Sequence, residues 1–135
     1  MAGRNAPGAF VVDDERGICR FIGRALEALG FAVATFSNAK DALAALDSQE
    51  PKIIFLDLAL SQSDAIDVIK GLGERRYTGI IQLMSANPRL LDAIQRVAVR
   101  DRLNIRPPLS KPFKDEAIRA VIATAAIEGM APLAL

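Results

Sequence analysis

With 135 residues, 51% of them hydrophobic and 24% charged, the chain has the size and composition of a single packed domain with one core and is too apolar to be disordered. Lys and Arg number 17 against 16 Asp and Glu, which leaves no positive field to hold a nucleic acid directly, and the single cysteine, Cys19, excludes an intramolecular disulfide. The absence of histidine removes hydrolases that need a histidine base and zinc sites built on imidazole.

Residues Met1 to Gly8 are small and polar and read as a loose tail with no hydrophobic signal segment. Ala9-Phe10-Val11-Val12 is a short uninterrupted apolar run, the pattern of a strand covered on both faces, and it ends in acid at Asp13, Asp14 and Glu15. From Arg16 to Leu29 the positions Ile18, Phe21, Ile22, Ala25, Leu26 and Leu29 recur at intervals of three and four. That spacing predicts a helix with one buried stripe and sets Cys19 beside the stripe as a small core residue. Gly30 stands where a left-handed residue stops the helix. Phe31 to Phe36 reads as a second strand, and Ser37-Asn38 offers a cap for a helix from Ala39 to Leu46, over before Pro51.

The third strand, Ile53-Ile54-Phe55-Leu56, runs straight into Asp57. Ala59 to Ser63 reads as a loop, and a helix carrying Ile66, Val68, Ile69 and Leu72 is expected to stop at Gly73. Gly71 and Gly73 follow that helix instead of opening one, so they make no dinucleotide fingerprint. Thr78 to Met84 forms the fourth strand and delivers Ser85 at its carboxyl end. Asn87-Pro88 caps and begins a helix holding Leu90, Leu91, Ile94, Val97 and Ala98. Leu103 to Arg106 is a weak fifth strand that Pro107-Pro108 confine to a sheet edge, since neither proline can donate to a ladder. After Lys111-Pro112-Phe113 a last helix, Lys114 to Ile127, packs Ile118, Val121, Ile122 and Ala125, and an apolar stretch, 128–135, reads as a tail or the start of a connector. Strand and helix alternate five times, the signature of an α/β fold with a doubly wound parallel sheet and helices on both faces. No apolar run approaches the roughly 18 residues of a membrane span, and a cytoplasmic domain over residues 9–127 is expected.

In such a sheet the carboxyl ends of the strands share one edge, the edge where ligands bind. The residues meeting there are Asp13 and Asp14, Asp57, Ser85 and Lys111. Three crowded carboxylates call for a cation, and oxygen donors without histidine or a second cysteine favour a hard one such as Mg²⁺. The same group suits phosphoryl transfer, with Asp57 as nucleophile and the Lys111 ammonium and Ser85 hydroxyl on the phosphoryl oxygens. Replacing a carboxylate by a doubly charged phosphoryl group is a large local change, able to draw Ser85 and its loop inward.

Over Phe10 to Ile127 the chain resembles the receiver domain of two-component response regulators. The residues that carry the resemblance are Val11-Val12-Asp13-Asp14-Glu15, Ile54-Phe55-Leu56-Asp57-Leu58, Asp64, Met84-Ser85-Ala86 and Leu109-Ser110-Lys111-Pro112-Phe113. The resemblance implies a flavodoxin-like (CheY-like) sheet of five parallel strands in the order 2-1-3-4-5 with five helices. It implies phosphorylation of Asp57 by a sensor histidine kinase or phosphotransfer protein, self-catalysed with no separate enzymatic activity. It implies Mg²⁺ held by Asp14, Asp57 and the carbonyl of Ala59, with Asp13 acting largely through water, and a cis bond between Lys111 and Pro112.

The chain departs from that pattern in three places. Pro108 stands where receivers usually carry the Tyr or Phe that reports phosphorylation. The Ser85 to Lys111 interval is longer than usual, with Arg96 to Arg102 reading as a solvated helix face or as an extended fourth helix that contacts a partner. Ser61 and Ala65 replace the usual Pro and Gly after the nucleophile. The long fourth helix with the Leu-Ser-Lys-Pro-Phe ending is similar to receivers that precede EAL-type phosphodiesterase domains, and the apolar last stretch allows a connector or a homodimer face. Two other readings stand beside the phosphoacceptor: a pseudo-receiver scaffold, suggested by Pro108, and a phosphohydrolase of the haloacid-dehalogenase type, which places its nucleophile on the first strand.

Overall fold

The apolar runs read as strands form strands, and each strand is followed by a helix that covers one face of the sheet. In chain order the elements are β1 (Gly8–Val12), α1 (Arg16–Ala28), β2 (Ala32–Phe36), α2 (Ala39–Leu46), β3 (Ile53–Asp57), α3 (Gln62–Glu74), β4 (Ile80–Ser85), α4 (Leu91–Arg100), β5 (Asn104–Ser110) and α5 (Asp115–Ile127). The computed structural model describes residues 6–60, 62–85 and 91–127. All strand pairings are parallel, in the order β2-β1-β3-β4-β5. The expected doubly wound α/β sheet is therefore the fold observed.

Alternation along the strands divides the core in two. Phe10, Val12, Ile54, Leu56, Ile81 and Leu83 pack under α2, α3 and α4, while Ala9, Val11, Ile53, Phe55, Ile80 and Met84 pack under α1 and α5. The central strands β3 and β4 are buried throughout, which is why apolar residues occupy both faces of each, Gln82 of β4 being the polar exception ahead of the terminal Asp57 and Ser85. Each Ile, Leu or Phe so buried contributes about 1.5–3 kcal/mol. This rigid centre fixes where the strand ends lie.

Local signals set the helix boundaries. Asn38 Oδ1 accepts the Asp41 backbone N–H at 2.8 Å and starts α2 at Ala39, where the sequence places it. Gly30, at φ 96°, ends α1 in the left-handed conformation expected of it. Other boundaries differ from expectation. Helix α3 runs through Gly73 to Glu74 and is stopped by Arg76 at φ 53°. Gly71 is needed for close approach instead: a Cβ there would run into Leu43 of α2, and one at Gly73 into Asp101. Helix α3 also begins at Gln62, inside the stretch read as a loop, with Asp64 in its first turn. Helix α4 stops at Arg100, which pairs with Asp101, and Arg102 turns the chain at φ 56°. The expected cap Asn87-Pro88 and the loop residue Ser61 lie outside the described residues. Among the described residues no helix is long and apolar enough to cross a membrane.

Strand β5 is the largest difference. It pairs only with β4, so the edge position holds, but it continues through both prolines to Ser110. A bulge makes this possible: Gln82 pairs with Arg106 and Met84 with Leu109, so β5 takes one more step than β4 between these pairs.

Candidate functional site

The registers Val12↔Leu56, Asp57↔Met84 and Ser85↔Ser110 bring the ends of β1, β3, β4 and β5 to one edge of the sheet. Chain connections reinforce the alignment. The Asp13 N–H donates to Phe36 O at 3.0 Å, Leu58 N–H to Met84 O at 2.9 Å and Lys111 N–H to Ser85 O at 3.1 Å.

Two of the carboxylates at this edge are buried, with Asp13 and Asp57 each 1% exposed, and Asp14 is exposed beside them. Asp13 Oδ1 accepts the Glu15 backbone N–H at 2.9 Å, and its Oδ2 accepts Lys111 Nζ at 2.7 Å. Asp57 has the matching arrangement: Oδ1 accepts the Ala59 backbone N–H at 2.9 Å, and Oδ2 lies 3.2 Å from Lys111 Nζ. Each buried carboxylate thus has one oxygen on a backbone N–H two residues ahead and the other on one shared ammonium. Burial alone would lower the Lys111 pKa, but its hydrogen bond and attraction to Asp13, joined by Asp57, outweigh that and hold it above the ordinary lysine value.

One carboxylate oxygen from each of Asp13, Asp14 and Asp57 lies within 4.8 Å of the others. Among the described residues one ammonium, that of Lys111, bonds into this group, and the donor set of the three carboxylates is oxygen throughout. Such a group fits a hard divalent cation that keeps part of its water, as Mg²⁺ does. Ala59, exposed on the loop beyond Asp57, stands beside this group, and Ser85, at the end of β4, is 8% exposed. The peptide bond between Lys111 and Pro112 is cis, as expected.

Three neighbours take roles other than ligand. Glu15 adds only its backbone N–H, its side chain being exposed. Cys19 is buried, and its thiol donates to the Asp13 carbonyl at 3.2 Å; burial and the Asp13 charge push its pKa up, so it is a packed thiol and not a reactive thiolate. Asp64 stays out of the cluster and lies with Oδ2 3.5 Å from the Ala39 N–H at the start of α2. What the sequence alone did not supply is the use of the Glu15 and Ala59 backbone N–H groups. The local signal was there, since an Asp whose side chain bonds the N–H two residues on makes an Asx turn.

Residues 9–123 match the family model described as the response regulator receiver domain. Among curated proteins the chain is similar to the alkaline phosphatase synthesis transcriptional regulatory protein PhoP of Bacillus subtilis, 29% identical over 110 residues that make up 82% of this chain and 44% of that protein. It is also similar to the DNA-binding transcriptional regulator NtrC of Salmonella typhimurium, 31% identical over 83% of this chain and 23% of NtrC. The chain thus spans less than half the length of either. Among solved structures, a response regulator from Colwellia psychrerythraea superposes with a TM-score of 0.75 at 25% identity, covering 92% of this chain and 99% of that one. The beryllofluoride-activated NtrC receiver domain gives 0.69 at 23% identity over 93% and 98% of the two chains.

Proposed function

This chain belongs to the receiver-domain family of two-component response regulators, and from that premise we propose that Asp57 is its phosphoacceptor. The observation that carries the proposal is Lys111, whose ammonium bonds both Asp57 and Asp13, the latter 98 residues away in sequence. That bridge puts a cation against the carboxylate best placed to act as nucleophile, at the end of the central strand β3.

Asp57 attacks the phosphorus of a phosphohistidine; the new oxygen–phosphorus bond forms as the nitrogen–phosphorus bond breaks, and the leaving imidazole takes up a proton. Lys111 and the Ser85 hydroxyl receive the phosphoryl oxygens. Asp13, Asp14, Asp57 and the Ala59 carbonyl would hold Mg²⁺, which would supply positive charge to the site. Attack of water on the acyl phosphate resets the domain and releases inorganic phosphate. The activity is self-catalysed, with no other reaction attached to it. The donor is a sensor histidine kinase or a phosphotransfer protein in the cytoplasm. The response passes by protein contact to an output domain or a second copy, and the near balance of charge argues against direct nucleic-acid binding by this domain. By analogy with the name of NtrC the output is a DNA-binding domain, with the EAL type as the alternative.

Incubation with acetyl phosphate and Mg²⁺ is expected to add one phosphoryl group to the chain, read by intact-mass spectrometry, and none to Asp57→Ala. An unmodified wild-type chain would sink the reading. A scaffold that signals without phosphorylation draws on one observation, Pro108 in place of the aromatic reporter. It predicts the same partner binding and oligomeric state, by light scattering, with and without beryllofluoride. The dehalogenase-type hydrolase is set aside by the family match and by Asp57 ending the third strand.

A further inference from the structure

Gln82 is the one polar residue in the stretch Ile80 to Met84, and at 2% exposure it is buried with them. It alternates with Ile80 and Met84 and so faces the layer formed by α1 and α5. A carboxamide in that place loses its water and needs partners. It has two: Nε2 donates to Leu83 O at 2.9 Å on its own strand and to Pro107 O at 2.8 Å on β5.

Both bonds fall at the bulge. Between the pairs Gln82↔Arg106 and Met84↔Leu109 strand β5 carries Pro107 and Pro108, which have no N–H to give, against the single residue Leu83. The extra residue sets the register of all that follows, Ser85 opposite Ser110 and Lys111 N–H on Ser85 O. One residue fewer would move Lys111 by about 3.3 Å and turn its side chain to the other face of the sheet. The ammonium could not then reach Asp13 and Asp57 as it does, at 2.7 and 3.2 Å.

We propose that the Gln82 carboxamide pins the Pro107-Pro108 bulge and is thereby a positioning residue for Lys111 in phosphoryl transfer to Asp57. This rests on the phosphoacceptor reading above. Gln82 acts through Lys111 and is assigned no contact with the phosphoryl group.

The test replaces Gln82 by Leu, and by the unbranched Met should Leu fail to fold, since both keep an apolar volume without donors. The rate of Asp57 phosphorylation by acetyl phosphate with Mg²⁺ is expected to fall about 10- to 100-fold, with folding retained by circular dichroism. A merely structural role is separated by a double-mutant cycle: in a Lys111→Ala background Gln82→Leu is expected to change the rate by less than about twofold. An unchanged rate in the single variant, or a full further loss in the Lys111→Ala background, overturns the proposal. The pinning is also read without phosphorylation, from the nuclear magnetic resonance signal of the Lys111 ammonium, which Gln82→Leu is expected to displace. An undisplaced signal overturns the inference about Gln82, whereas a wild-type chain that takes up no phosphoryl group overturns only the assignment of Asp57.

Discussion

Tyr77, at the end of the sheet away from the acidic cluster, ties its hydroxyl to Pro51 O at 2.9 Å, and burial, helped by the nearby Glu50 carboxylate, pushes its pKa well above the ordinary phenol value of 10.0. The folded state therefore keeps the phenol neutral where the unfolded chain ionises it. The stabilisation is complete below about pH 10 and is lost as pH rises toward the folded value. Urea titrations between about pH 9 and about pH 11 are expected to show falling stability, with a shallower fall for Tyr77→Phe, which also loses about 1 kcal/mol of hydrogen bond below that range. Equal pH slopes for the two proteins would contradict this account. At this scale legibility in the sequence followed chemical contrast. Asp13 and Asp57 stood out because each ends a short apolar run and, with Lys111 after the fifth strand, falls at strand ends that share one edge of a parallel sheet. Gln82 did not, because its two acceptors are backbone carbonyls, and one of them, Pro107 O, is brought near only by tertiary pairing.

Elements were legible where their signals are local. Asn38 and Gly30 act on neighbours within one turn, and α2 and the end of α1 lie where those residues put them. The end of α3 was misplaced because Gly71 makes room for Leu43 of α2 and Gly73 for Asp101, which no local pattern records. A sign change tests this. Gly71→Ala gains about 1 kcal/mol of helix propensity but costs about 1–3 kcal/mol by crowding Leu43, so it is expected to lower the thermal midpoint. In a Leu43→Ala background the crowding is gone and the same substitution is expected to raise the midpoint. Destabilisation of similar size in both backgrounds would mean that Leu43 is not what Gly71 accommodates. Strand β5 was read short for a related reason: prolines forbid a regular ladder, and only the bulge opposite Leu83 and the amide of Gln82 show how the strand passes them.

At the scale of the whole molecule the topology was the most legible feature, since five alternations of short apolar runs and helices leave few sheets to choose from. The stability cost of the site was less so, because repulsion depends on distance and the sequence supplies only residue types. Three carboxylates lie within 4.8 Å and, among the described residues, Lys111 is the cation that bonds two of them, so the metal-free fold carries carboxylate repulsion at one edge. Asp14 is the member with the least structural work to do: it is exposed, whereas Asp13 and Asp57 also hold Lys111 and backbone N–H groups. Asp14→Asn is therefore expected to raise the thermal midpoint of the metal-free protein, by about 2 °C given its exposure. Mg²⁺ works in the opposite order. A cation that binds only the folded wild type at a hundred times its dissociation constant adds about 2.7 kcal/mol, which is several degrees, and Asp14→Asn forfeits most of that gain. Melting curves taken along a Mg²⁺ titration should therefore cross, the variant being the more stable without the ion and the wild type with it. Parallel curves, or a wild type indifferent to Mg²⁺, would remove the cation from the account of this cluster and leave its charge to be balanced by side chains such as Lys111.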